Sequence, residues 1–428
     1  MSACADKSET LSYGPEGSGG SGGSDSSERF TDTEINRLLR HQVTNPIPPD
    51  PTNTVADDAA AQRLGQYLFF DTGLSADGEQ SCATCHQPEH GFADPEHVST
   101  ALGVTTRNTP TIINSAYNRW FYWDGRCDTL WCQAASPIEA TNEHGSNRMA
   151  VAHHLYNDDA LHEAYTAIFG ALPDLSDTDR FPANAMPVLD DPGDPLDVAW
   201  LSMEDEDRDT VTRIFANVAK AIAAYERQLV QNNAPFDTML TAFDSGDVTG
   251  GDALSDQAKA GAKLFVGEAL CWSCHAGPMF TNKEFHNIAL PATSDIDNES
   301  TGRYDGISAL LDNPFNSKGW LSDSTENADT KLDYLVVSPE QIGAFKTPGL
   351  RNLQHTAPYM HGGHFADLFE VVTHYSDMDD PPLIGHREEL LRPQLWDDEQ
   401  VASVVAFLES LEGAPLDSTL LEQPDSPL

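Results

Sequence analysis

Apolar residues between Val211 and Gln231 recur at Ile214, Val218, Ile222, Tyr225 and Leu229. That spacing predicts a long amphipathic helix with its stripe turned into a core. Near the end of the chain, Asp397-Asp398 supplies an acidic start to a second helix carrying Val401, Val404, Val405, Leu408 and Leu411. Earlier, Thr31-Asp32-Thr33-Glu34 predicts a capped start to a short helix with Ile35, Leu38 and Leu39. The prolines at 46, 48, 49 and 51 then predict an extended passage. Arg63 to Phe69 reads Arg-Leu-Gly-Gln-Tyr-Leu-Phe, and Ala260 to Phe265 reads Ala-Gly-Ala-Lys-Leu-Phe. Each predicts a helix with a Gly followed by Leu-Phe, so one unit is used twice. Strand signals are few and short. The fold class expected is mostly α.

Residues 1-30 are Gly/Ser- and acid-rich and predict a disordered linker. The Asp/Gly-rich run Asp244 to Asp252 is the best boundary between the repeats. The expected organisation is therefore a domain over 31-249, a second over 250-415, and an acidic tail over 416-428 that frays. No apolar run reaches the roughly 20 residues needed to cross a bilayer. The formal net charge of -44 excludes nucleic acid as a partner, because phosphates would be repelled. It fits a salt-adapted surface or a basic docking partner equally well.

The seven cysteines change the picture more than the charge does. Four of them form two Cys-x-x-Cys-His strings, Cys82/Cys85/His86 and Cys271/Cys274/His275, each following one copy of the Gly/Leu-Phe unit. Two thiols three positions apart reach both vinyl groups of one porphyrin, and the adjacent His lies beneath its iron. Zinc is the rival for paired Cys-x-x-Cys motifs, but zinc ribbons bring their pairs within a few tens of residues. Two covalently bound haem c groups are therefore expected, with His86 and His275 as proximal ligands. Haem of this kind is attached outside the bacterial inner membrane, which implies a periplasmic or outer-surface location. Ser2-Ala3-Cys4 resembles the end of a lipoprotein cleavage site. A lipid anchor at Cys4 is one reading, and a flexible terminus with a spare thiol is the other. Cys127 and Cys132 are too far apart to pair within a continuous helix. They either bridge across a bend or stay as buried thiols.

Three further blocks accompany the haem strings. The first is Arg107-Asn108-Thr109-Pro110-Thr111. Trp123-Asp124-Gly125-Arg126 follows, with Gln133, Pro137 and Glu143 after it. The third runs Ala344-Phe345-Lys346-Thr347-Pro348-Gly349-Leu350-Arg351-Asn352, then Thr356-Ala357-Pro358-Tyr359-Met360-His361-Gly362-Gly363. In this ordered set, from about Ala59 to Leu411, the chain resembles the bacterial di-haem cytochrome c peroxidase/MauG family.

The resemblance implies two cytochrome c-like haem domains packed together. The haem on Cys82, Cys85 and His86 would react with peroxide, with Glu143 as its acid–base group and Gln133 and Pro137 shaping the pocket. Trp123 would lie between the haems and assist electron transfer. The haem on Cys271, Cys274 and His275 would transfer electrons. Asn108, with the backbone oxygens of Thr356 and Pro358, would hold a calcium ion. The chemistry agrees, since one carboxylate can take a proton from one peroxide oxygen and return it to the other. Glu139 is the other carboxylate of that segment.

Two departures bear on subtype. Where a His caps the resting iron in better-known members, this chain has Ser99-Thr100, which predicts an open first haem; His97, out of register, is the alternative cap, and His90 lies near. Where a Met binds the second iron, alignment places Tyr375, with Met360, Met378 and His374 as competitors. A phenolate favours higher oxidation states than a thioether does. His355, His361 and His364 are read as structural or propionate-contacting. The leading expectation is reduction of hydrogen peroxide with electrons from a small cytochrome c or cupredoxin. The second is a MauG-like oxidase acting on aromatic residues of a partner protein, and the third a plain electron carrier. Association of two copies as a homodimer is left open.

Overall fold

The computed structural model describes residues 29–428 except 45, 189, 190, 192, 293–299 and 325–329. The linker expected over the first residues, and Cys4 with it, therefore lies outside the described residues up to 28. The helices of the first half are α1 (Asp32–Leu38), α2 (Ala59–Phe70), α3 (Cys82–Cys85), α4 (Leu130–Glu139), α5 (Arg148–Asn157), α6 (Asp159–Phe169), α7 (Pro195–Leu201) and α8 (Asp205–Glu226). Those of the second are α9 (Pro235–Asp244), α10 (Asp256–Val266), α11 (Cys271–Cys274), α12 (Arg303–Asp312), α13 (Leu368–Asp377) and α14 (Asp398–Glu409). Among the described residues the only named strands are β1 (Phe285–His286) and β2 (Phe345–Lys346), an antiparallel pair. The fold is mostly α, as the sequence predicts.

The two copies of the repeat do the same mechanical job. In α2, a Cβ placed on Gly65 would lie 1.7 Å from the backbone oxygen of Ala221 in α8. In α10, a Cβ on Gly261 would lie 1.9 Å from the backbone oxygen of Ser403 in α14. Only glycine lets either helix pair cross this closely. Around each crossing the predicted stripes bury. Ile214, Val218, Ile222 and Tyr225 join Leu64, Leu68, Phe69 and Trp131 in one core; Val404, Phe407 and Leu411 join Phe265 and Phe280 in the other.

α1 begins at Thr31 with the predicted capping box. Phe30 and Leu38 pack into the second core, and so do Phe236, Met239 and Leu240 of α9. By packing, both elements accompany the second half although they precede the Asp/Gly-rich run in the chain.

The acidic tail does not fray. Leu416, Leu420 and Leu421 pack against the first core. The Tyr225 hydroxyl donates to the Leu420 oxygen at 2.5 Å, and the Gln66 amide donates to Thr419 and Glu422 oxygens at 2.6 and 2.9 Å. The tail is polar on average, but three of its four leucines pack onto that core, and its backbone is held by Gln66 of α2 and Tyr225 of α8. No helix among the described residues is long and apolar enough to cross a membrane.

Candidate active site

Each Cys-x-x-Cys string folds as a single helical turn, α3 and α11, which brings its two sulfurs to one side. All four cysteines are unpaired and line a cavity. Burial pushes every one of these thiols up, Cys85 and Cys274 to about 11 and Cys271 to about 12. The histidine that closes each turn is anchored in the same way. His86 Nδ1 meets the Phe92 oxygen at 3.1 Å, and His275 Nδ1 meets the Phe280 oxygen at 2.9 Å. This bond fixes each ring and leaves Nε2 for a ligand, the second-shell pattern of metal-binding histidines. The two turns face separate cavities, and among the described residues no three His, Cys, Asp or Glu side chains converge on a metal-sized point. Zinc is thereby a poor fit and a porphyrin a good one.

The first cavity gathers Cys82, Cys85, His86, Trp123, Gln133, Pro137 and Glu143. α4 carries Gln133 and Pro137, and the turn after it carries Glu143, whose N–H is held by the Ala140 oxygen at 3.0 Å. Burial raises the Glu143 carboxyl, and the charge of Arg126 opposes that rise. Glu139 has a different fate. Arg148 grips both its oxygens, Nε at 2.9 Å and Nη2 at 2.8 Å, and its own N–H adds a third bond at 3.0 Å. Glu139 does not line the cavity, which leaves Glu143 as the carboxyl of this segment that does.

Sequence reasoning gave no role to four groups on this wall. The Arg126 guanidinium stacks 3.5 Å from the Tyr122 ring centroid, and the Tyr122 hydroxyl donates to the Gln133 oxygen at 3.2 Å. His144 and Glu226 also line the cavity, 4% and 3% exposed. Arg126 closes the Trp-Asp-Gly-Arg block and Tyr122 precedes it, so these two were in view. His144 and Glu226 carried no pattern that separated them from neighbours. His97 is turned away, its Nδ1 2.5 Å from the Gly363 oxygen, and it does not line the cavity, whereas Ser99 does. The Ser99 hydroxyl bonds Asp94 and Thr109.

The second cavity is lined by Cys271, Cys274, His275, Tyr375 and Met360. Burial raises the Tyr375 hydroxyl. Of the competitors, His374 is tied to the Ile288 oxygen at 3.0 Å, and neither it nor Met378 lines this cavity. A third space between the halves is lined by Asn108, Thr356, Pro358, His275 and Tyr375. Asn108 is fixed there by its N–H to the His361 oxygen at 3.0 Å and its side-chain amide to the Glu96 oxygen at 3.2 Å.

Trp123 and Lys346 line all three spaces. The Trp123 indole donates to the Asn108 oxygen at 2.9 Å, and its backbone oxygen accepts from Lys346 N–H at 2.8 Å. Lys346 is half-buried, and desolvation pulls its ammonium down to about 8. A cation on the wall of both cavities suits a propionate. Cys127 and Cys132 settle the pairing left open above. α4 starts only at Leu130, so Cys127 lies outside it and the two form a disulfide with Cα atoms 5.7 Å apart.

Two cavities of one design, each with paired thiols and an anchored imidazole, define a di-haem cytochrome fold. The description "Di-haem cytochrome c peroxidase" matches residues 59–245. Over 379 residues, 86% of this chain and 85% of the relative, the sequence is 30% identical to the cytochrome-c peroxidase IdrP1 of Denitromonas iodatirespirans. It is 28% identical to the methylamine utilization protein MauG of Methylorubrum extorquens, covering 90% of this chain and 84% of that one. The crystal structure of the diheme peroxidase BthA from Burkholderia thailandensis superposes with a TM-score of 0.60 at 20% identity, over 89% of this chain and 90% of that one. The chain belongs to the di-haem cytochrome c peroxidase family, and membership implies two haem cofactors.

Proposed function

We propose that this protein reduces hydrogen peroxide to water at the first cavity, with electrons entering through the second from a small cytochrome c or cupredoxin. The observation that carries the reading is Glu143, a half-buried carboxyl sharing one cavity with His86, Gln133 and Pro137 while Glu139 is held elsewhere by Arg148. The balance is one peroxide, two protons and two electrons to two waters. A haem bound at each site, through thioethers at Cys82/Cys85 and Cys271/Cys274 and imidazoles His86 and His275, would supply the iron and carry the electrons.

The chain's own part is proton handling and positioning. Glu143, a stronger base than a surface carboxylate because burial raises its value, takes as carboxylate the proton of one peroxide oxygen and returns it to the departing one. Gln133 and Pro137 narrow the space above His86. Trp123, on the wall common to both cavities, is the group between the two sites. Tyr375 is assigned to the second iron, and Asn108 with the Thr356 and Pro358 oxygens to a calcium ion between the halves. Covalent haem attachment implies a periplasmic or outer-surface protein, with Cys4 the residue for a lipid anchor.

Tyr375 favours a second reading, a MauG-like oxidase acting on aromatic residues of a partner protein, because a phenolate stabilises higher oxidation states of iron. One experiment addresses both. The fully ferric protein is mixed with one equivalent of peroxide and followed by absorption and EPR. Prompt reaction, discharged over many turnovers by reduced cytochrome c, supports the peroxidase. A long-lived oxidised product that cytochrome c does not discharge supports the oxidase. No reaction until the second haem is reduced would refute the open first site.

A further inference from the structure

Three side-chain atoms on the first cavity's wall have no hydrogen-bond partner among the described residues: Ser115 Oγ, His144 Nδ1 and Glu226 Oε2. Glu226 is the anomaly. It closes α8 and is 3% exposed, so a charge there is strongly disfavoured without a partner. None of the groups around it supplies one. Arg227 is committed elsewhere, its Nε and Nη2 at 3.1 and 2.8 Å from Asp57 Oδ1. Tyr225 gives its hydroxyl to the Leu420 oxygen. Cys82 adds only like charge, and as a thioether it would add none. Elsewhere on the wall, Arg126 pairs with Asp124 at 2.9 Å, Lys346 Nζ donates to the Trp120 oxygen at 3.2 Å, and the charge acting on Glu143 is that of Arg126. Burial alone lifts the Glu226 carboxyl to about 8, so near that pH a change of charge in the cavity is enough to move its proton.

We propose that Glu226 is a proton-exchanging group coupled to the oxidation state of the first haem. It takes up a proton when that site gains an electron and releases it when the site is oxidised. The inference rests on the reading that the first cavity holds a haem. An electron added to the site makes its surroundings more negative and the carboxylate still less tolerable, so a proton from solvent joins Glu226 Oε2. On oxidation the O–H bond breaks and the proton returns to the cavity, where peroxide reduction consumes two. Enclosure beside the site gives this charge compensation its strength, since a surface carboxylate is screened by water.

The test is a spectroelectrochemical titration of the first haem in the full-length holoprotein, across a pH range centred near 8. In the wild type its midpoint potential should fall as pH rises through that window; in Glu226→Gln, which keeps shape and removes the proton, it should stay level there. A reduced-minus-oxidised infrared spectrum should show a protonated-carboxyl band that grows on reduction, shifts in D2O and is missing from Glu226→Gln. An unchanged slope and band in the variant would overturn the proposal. Should the variant not take up haem, the wild type decides alone, since a level potential and no such band would equally overturn it. Neither readout involves peroxide. Linkage without peroxide turnover would remove the peroxidase reading and leave Glu226 its role; turnover without linkage would do the reverse.

Discussion

Glu143 and Glu139 are four residues apart, both are largely enclosed, and the structure predicts opposite consequences for the same substitution. Glu143→Gln keeps the volume and removes the acid–base function. General acid–base catalysis contributes about 10²–10⁴-fold, or about 3–5 kcal/mol of barrier at 1.36 kcal/mol per tenfold. The rate of the ferric protein with peroxide should fall by that factor while thermal stability and both haem spectra stay as they were. Glu139→Gln leaves the cavity untouched but strips the charge that Arg148 grips. That guanidinium is only 7% exposed and lies over the rings of Trp200, Phe215 and Phe315. Removing one partner of a buried pair costs about 3–5 kcal/mol, so denaturant midpoints should drop while peroxide reactivity per folded molecule is retained. Stopped-flow absorption and urea denaturation on the two variants make the comparison. If Glu143→Gln reacts at the wild-type rate, or if Glu139→Gln slows the reaction without loss of stability, the assignment of roles is wrong.

Replacing Cys127 and Cys132 with Ser opens a loop of six residues, and the chain-entropy relation gives a loss of about 2 kcal/mol, checked by denaturant unfolding with and without reductant. Ending the chain after Pro415 removes the leucines and hydrogen bonds that seat the tail on α2 and α8; burial of partly covered leucines puts the loss at roughly 2–5 kcal/mol, and an unchanged midpoint would contradict the docking. The Asp71 carboxylate, 2.7 Å from His154 Nε2, raises the imidazole above its ordinary value. Its contribution to stability is complete below the unfolded His value of about 6.5 and disappears as pH rises through the higher folded value, so His154→Gln should flatten that part of the stability–pH curve. Tyr375→Phe should alter the ferric spectrum of the second haem alone. A sulfur-to-iron charge-transfer band already present in the wild type would instead move the ligand to Met360, which lines the same cavity.

Much of this architecture was legible because its signals are local. Haem strings, helix stripes and the α1 capping box depend on residues within a turn or two, and each folds as read. The repeated Gly/Leu-Phe unit was legible as a pattern, but its cause was not. Gly65 and Gly261 matter through Ala221 and Ser403, residues more than a hundred positions away. The tail was misread because average polarity hid three leucines that pack on a core far away in the chain. Cys127 and Cys132 stayed undecided because the answer depends on where α4 begins, and helix ends are the least certain feature of a sequence. His144 and Glu226 were passed over for the same reason as Lys346. Each is an ordinary residue type until burial beside a cavity makes it an unusual one.

The two halves are built alike yet meet on a wall that belongs to neither. Trp123 comes from the first half and Lys346 from the second. The bond from Lys346 N–H to the Trp123 oxygen joins them, and both line every one of the three spaces. The Trp123 indole is in turn held by Asn108, whose N–H is bonded to the His361 oxygen of the opposite half. Any ion or ligand that reorients Asn108 therefore moves the tryptophan between the proposed haems, and any shift of β2 moves it from the other side. On the proposed assignment, the calcium site and the route between haems are one mechanical unit. Loss of the ion should then slow electron transfer between the haems before it affects either haem's attachment.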